Sequence, residues 1–84
     1  MPEISRFYGI IIKMYFLGKE HNPPHILAFY NDFVEVIDIN NLKIIEGELP
    51  KTAQKLVINW IKINKEEIEK MWENQEIKKI KPLK

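Results

Sequence analysis

The two histidines of the chain, His21 and His25, lie on either side of the pair Pro23-Pro24. Consecutive prolines fix φ and remove two backbone donors, so we expect a stiff, extended loop here. Imidazole titrates near neutral pH and is a common ligand of divalent metals. The pair therefore predicts metal binding (zinc or manganese), acid–base catalysis, or hydrogen bonds that hold the loop. We favour the last role, because a metal site usually needs three or four protein ligands.

A metal site built on this loop would either need carboxylates as further ligands or leave coordination positions to water. The candidates are Glu20, Asp32, Glu35 and Asp38. Apart from such a metal, no cofactor is expected, because the chain has three glycines and no Gly-rich phosphate loop or nucleophile motif.

Five basic residues are candidate binding residues. Arg6 is the only arginine and could hold a carboxylate or phosphate with its planar fork, but an ion pair with Glu35 or Asp38 is the interpretation we favour. Lys13 is a second candidate phosphate ligand. The other three share one face of a predicted helix, namely Lys51, Lys55 and Lys62. These three lysines predict either contacts with nucleic-acid phosphates or an ordinary solvated helix face, and we favour the solvated face. The apolar Ile58 on the same side of the helix favours a protein partner over RNA.

Composition predicts one small domain spanning residues 1–84. The hydrophobic fraction of 45% is sufficient for a core, the net charge is +1, and cysteine is absent, which excludes disulfides and thiolate metal sites. No signal-like or membrane-spanning apolar segment is present. These features predict a cytoplasmic protein without a membrane partner.

Residues 1–49 read as a sheet. Alternating β-branched and aromatic residues predict four strands, and Asn-Asp and Asn-Asn pairs predict two of the turns between them. The predicted strands are residues 3–16, 25–30, 33–39 and 42–46. In the first strand, the even-numbered residues from 8 to 16 are expected to face the core.

Residues 50–76 read as two helices. Apolar residues at helical spacing predict a first helix over 51–63 and a second helix from 65, with Asn64 as its N-cap. Residues 77–84 are predicted as either a fifth, edge strand or a basic tail. The expected fold is therefore α+β, an antiparallel four-stranded meander with two C-terminal helices packed on one face.

Several segments together resemble the prokaryotic domain-of-unknown-function family DUF4160. They are the opening block 1–12, the His-Asn-Pro-Pro-His loop, Ile-Asp-Ile at 37–39, Gly-Glu-Leu-Pro at 47–50, and Trp60 followed by Trp72. The resemblance implies a neighbour-encoded small partner protein, in pairs suggested to be toxin–antitoxin systems. The family pattern also has a third histidine where this chain has Leu27, so a three-histidine site carried over from it would be incomplete here.

Two functional hypotheses follow. The preferred one is a binding module of a toxin–antitoxin-like two-protein system, in which the sheet edge, the basic helix and the tail offer surfaces. The alternative is a metal-assisted or histidine-based hydrolase or nuclease that acts on RNA, with His21 and His25 as catalytic groups or ligands. The sequence leaves open the substrate, the partner, and whether the chain forms a homo-oligomer.

Overall fold

The computed structural model describes residues 3–14, 24–74 and 76–83. The described chain is α+β, as predicted, and contains a five-stranded antiparallel meander in the order β1 to β5, followed by one helix, α1. The elements are β1 Glu3–Phe7, β2 Ile10–Lys13, β3 His25–Tyr30, β4 Phe33–Asp38, β5 Ile44–Gly47 and α1 Lys51–Asn74.

The predicted first strand is wrong, because it is two strands joined by a tight hairpin. Phe7 pairs with Ile10, and the two residues between them, Tyr8 and Gly9, have φ of 49° and 79°. Positive φ at both central residues is the type I′ geometry that matches the twist of paired strands. Tyr8 consequently lies at an exposed turn instead of in the core, while Ile10 and Met14 are buried as expected.

The other predicted turns are present. Asn31, with φ of 53°, and Asp32 connect Tyr30 to Phe33. The turn before β5 is organised by Asp38, whose side chain accepts hydrogen bonds from the backbone N–H of Asn40 at 2.8 Å and of Asn41 at 3.3 Å. β4 therefore ends one residue earlier than predicted and β5 begins two residues later.

One face of the sheet forms the core with the helix. Strand alternation places Ile10, Ile12, Ala28 and Ile37 on this face, and all four are fully buried. The apolar side of α1, which the helical spacing over residues 51–63 predicted, packs on them. Its residues include Val57, Trp60 and Ile61. The Phe7 and Trp60 rings, 5.7 Å apart, join the two layers.

The predicted pair of helices is one helix with a kink. Asn64, the predicted N-cap, has φ −110° and ψ 17°, and its side-chain amide donates to the Trp60 carbonyl at 3.0 Å. An asparagine that bonds the backbone one turn earlier can bend a helix without ending it. Within the described residues, no helix is long and apolar enough to cross a membrane.

The last described segment, residues 76–83, forms neither a strand nor a loose tail. Ile80 is buried, and its N–H donates to the Ile4 carbonyl of β1 at 2.7 Å. The indole N–H of Trp60 donates to the Lys81 carbonyl at 2.9 Å. The segment is thus anchored to both layers of the fold.

Candidate functional site

His25 is the first residue of β3, and its side chain packs beside Trp72 of α1. Its ring is buried and lies 5.2 Å from the Trp72 ring, centroid to centroid, at a tilt of 55°. Asp38 is its cross-strand neighbour. The Asp38 carboxylate is engaged by backbone and side-chain donors of the following turn, including the Asn41 amide at 3.2 Å, so its role is to hold that turn.

His21 lies outside the described residues, so the predicted pairing of the two histidines is not tested. Across residues 3–14, 24–74 and 76–83, no group of three or more His, Cys, Asp or Glu side chains is arranged to hold a metal ion. The metal-site and hydrolase hypotheses both need His21, and they stay predictions.

Arg6 forms a surface ion pair. Its guanidinium donates to both carboxylate oxygens of Glu3, at 2.9 and 3.3 Å, on the exposed side of β1. These hydrogen bonds lower the pKa of the Glu3 carboxyl group. The ion pair is the role that we favoured, but the expected partners, Glu35 and Asp38, were wrong.

Lys13 lies on the sheet face opposite the helix. Its Nζ is 5.0 Å from the centroid of the Phe29 ring, a cation–π distance. Alternation places a continuous set of partly exposed apolar side chains on this face, which we call the open sheet face. Its apolar members are Ile11, Leu27, Phe29, Val34 and Val36.

Lys51, Lys55 and Lys62 come together on the outer side of α1, as the helical spacing predicted. They are exposed and line a shallow depression, which we call the helix surface. The rest of its lining is Gln54, Leu56, Ile58 and Asn59. Ile58, expected to be exposed, is half-buried. The five basic candidates therefore form two separate groups, one on each outer side of the molecule.

Glu35 has an unusual, buried environment that was not predicted from the sequence. It lies on the core side of β4, fully buried, and neither carboxylate oxygen has a hydrogen-bond partner among the residues that the structure describes. Burial raises the pKa of this carboxyl group. The backbone N–H of Leu49, which lies near the carboxylate without hydrogen-bond geometry, partly opposes the rise, and the Glu48 charge adds to it. A signal existed in the sequence, because Glu35 shares its strand face with Ile37.

The open sheet face was also missed. Strand alternation had placed Leu27 and Phe29 together on one side of β3, and Val34 and Val36 share a side of β4. Apolar residues on both faces of two neighbouring strands indicate a sheet that has a second apolar surface. The prediction assigned only one face to the core and left the other without a role.

Comparisons with known proteins identify the family. The family model described as "Domain of unknown function (DUF4160)" matches residues 9–73, from the β1–β2 turn to the end of α1. No curated protein and no solved structure matches the chain. Because the match covers well over half of the sequence, this protein belongs to the DUF4160 family.

Proposed function

We propose that this protein is a binding module for a small acidic protein, which docks on the helix surface. The observation that carries the proposal is the arrangement of Lys51, Lys55 and Lys62 around a depression that contains Leu56 and Ile58. The first part of α1, residues 51–63, has no acidic side chain to neutralise these lysines.

The two kinds of side chain on this surface would have different tasks. Exposed lysines add little affinity each, on the order of 0–1 kcal/mol per pair, but they attract an acidic partner and orient it. The half-buried Leu56 and Ile58 offer apolar area, which supplies most of the favourable free energy in protein association. Apolar groups between the charges favour a protein over RNA, whose contacts with lysines are made by phosphates.

The family resemblance implies the source of such a partner. A small protein encoded beside a DUF4160 member would form a toxin–antitoxin-like pair with it, and this chain would be the half that acts by binding. The proposal therefore concerns a protein that associates and does not turn over a substrate.

Co-expression with the product of the adjacent gene tests the proposal. The wild type should co-purify with that protein, and the affinity should fall at high salt because exposed charges are screened. The triple variant Lys51→Glu, Lys55→Glu, Lys62→Glu should bind at least about 100-fold more weakly, a loss of about 2.7 kcal/mol.

A matched control makes the same change of charge elsewhere. Lys43→Glu, Lys70→Glu, Lys78→Glu reverses three lysines outside the helix surface and should bind like the wild type. Equal binding by both triple variants, or no complex with the wild type, would refute the proposal. Circular dichroism of each variant confirms that it is folded.

A further inference from the structure

The open sheet face has a regular arrangement of charges around its apolar centre. Lys13 of β2 is followed across the sheet by Leu27, Val36 and Glu46, each directly opposite the next in the strand register. At the β1 side of this row, Glu3 lies opposite Lys13 and forms an ion pair with Arg6. From Lys13 onward, the row runs from a cation through two apolar residues to an anion. The neighbouring row contains Ile11, Phe29 and Val34.

This order of charges is complementary to itself after a half-turn. A two-fold axis that runs parallel to the strands, between β3 and β4, turns the row end for end. Lys13 of one copy then lies opposite Glu46 of the second copy, and Leu27 lies opposite Val36. The same axis sets Phe29 opposite Val34, so apolar side chains meet in the centre and ion pairs form at both sides.

We propose that two copies of this chain pair through their open sheet faces about this axis. A partner that carried one sign of charge would match either Lys13 or Glu46 and be repelled by the other. A second copy matches both, and the contact is isologous, the kind on which most homodimers are built. Two stacked sheets with nearly aligned strands are a common packing arrangement.

The size of the face sets the expected strength. Five strands spaced about 4.8 Å apart give a face roughly 20 Å wide, with a few apolar residues at its centre. A stable interface commonly buries about 800 Å² on each partner, so this face is at the small end. We therefore expect a dimer with a Kd on the order of 1–100 µM, which exchanges with monomer on dilution.

Charge reversal tests the arrangement. Sedimentation equilibrium over a concentration series should show a monomer–dimer equilibrium for the wild type. Lys13→Glu places two carboxylates opposite each other twice in each dimer, and Glu46→Lys does the same with two cations. Each single variant should raise the Kd at least about 10-fold.

The double variant Lys13→Glu, Glu46→Lys restores opposite charges across the axis, and its Kd should return to within about threefold of the wild type. Lys70→Glu and Glu73→Lys on α1 serve as controls and should leave the Kd unchanged. A wild type that stays monomeric to about millimolar concentration would overturn the proposal, and so would a dimer that ignores the reversals or is not restored in the double variant. The inference does not depend on the helix surface, so the two proposals can fail separately.

Discussion

Glu35 has the most unfavourable environment of the described acidic residues. A buried polar group without a partner costs about 1–3 kcal/mol, and a charged one costs more. The protein avoids part of this cost by keeping the proton, since burial raises the pKa of the carboxyl group. The folded protein therefore retains a proton at pH values where the unfolded chain has released it.

This proton predicts how stability depends on pH. The contribution of Glu35 to the free energy of unfolding is fully present below the ordinary pKa of 4.5 and is lost as the pH rises through the raised value. Glu35→Gln removes this dependence. Relative to that variant, the wild type should lose stability as the pH rises from about 4 to about 8, measured by urea unfolding at several pH values.

Glu73→Gln, which removes an exposed carboxylate of α1, is the control and should run parallel to the wild type. If the Glu35→Gln curve also stays parallel to the wild-type curve, burial of Glu35 does not control the pH dependence.

Individual residues were only partly predictable from the sequence. The ion pair of Arg6 was expected, yet its partner Glu3 was not, because residues three apart on a regular strand lie on opposite faces, and the register shift between Glu3 and Ser5 places both on one face. Glu35 was counted as a candidate metal ligand because a sequence shows the type of a side chain but not its burial. Helical spacing, by contrast, was sufficient to place the three lysines of the helix surface on one side of α1.

At the level of elements, the Tyr8-Gly9 turn is the clearest departure from local preference. Tyrosine is a strand-forming residue, and the left-handed conformation costs an ordinary L-residue about 1–2 kcal/mol. Asparagine adopts this conformation readily and commonly precedes glycine in type I′ turns. The β1–β2 hairpin therefore forms even though the residue at position 8 disfavours the conformation of its turn.

Two substitutions of Tyr8 should change the free energy of unfolding in opposite directions. Tyr8→Asn should raise the free energy of unfolding by about 0.5–1 kcal/mol, because it relieves the strain at an exposed position. Tyr8→Val should lower it, because a β-branched side chain tolerates positive φ poorly. Thermal unfolding of the three proteins measures both effects. A more stable Val variant would mean that position 8 is not in the left-handed conformation.

The elements that agree with the sequence are those with strong local patterns. The stripe of α1 and the Asn31-Asp32 turn were both predicted, since amphipathic spacing and turn-forming residues act locally. The hairpin at Tyr8 was not, and the predicted break between two helices at Asn64 is a kink within one helix. In each case the residue type favoured another local structure, and packing against the core overrides such preferences.

At the level of the whole molecule, the final segment connects the first strand to the helix. Ile80 is buried between these layers, and the segment accepts the indole hydrogen bond of Trp60. From the sequence, residues 77–84 read as a strand or a tail, because a short lysine-rich segment shows no periodicity that would reveal docking. Its position depends on contacts with residues far away in the chain.

Ile80→Ala should therefore destabilise the entire domain and not just its end. We expect a loss of about 2–4 kcal/mol in the free energy of unfolding, the usual cost of truncating a buried isoleucine. Ile77→Ala, at an exposed apolar position of the same segment, should cost less than about 1 kcal/mol. Chemical denaturation followed by tryptophan fluorescence compares the two, and equal effects would show that Ile80 is not anchored in the core.

The irregular β5 strand has a consequence for how copies of this chain can aggregate. β5 pairs with β4 through a bulge, and Gly47, with φ of 73°, has no space for a Cβ, which would overlap the Val34 carbonyl oxygen. A short edge strand that is bent by a bulge is a poor template for adding another strand. Growth into fibrils along this edge is thereby disfavoured, and association through a sheet face ends at a closed pair instead of an open filament.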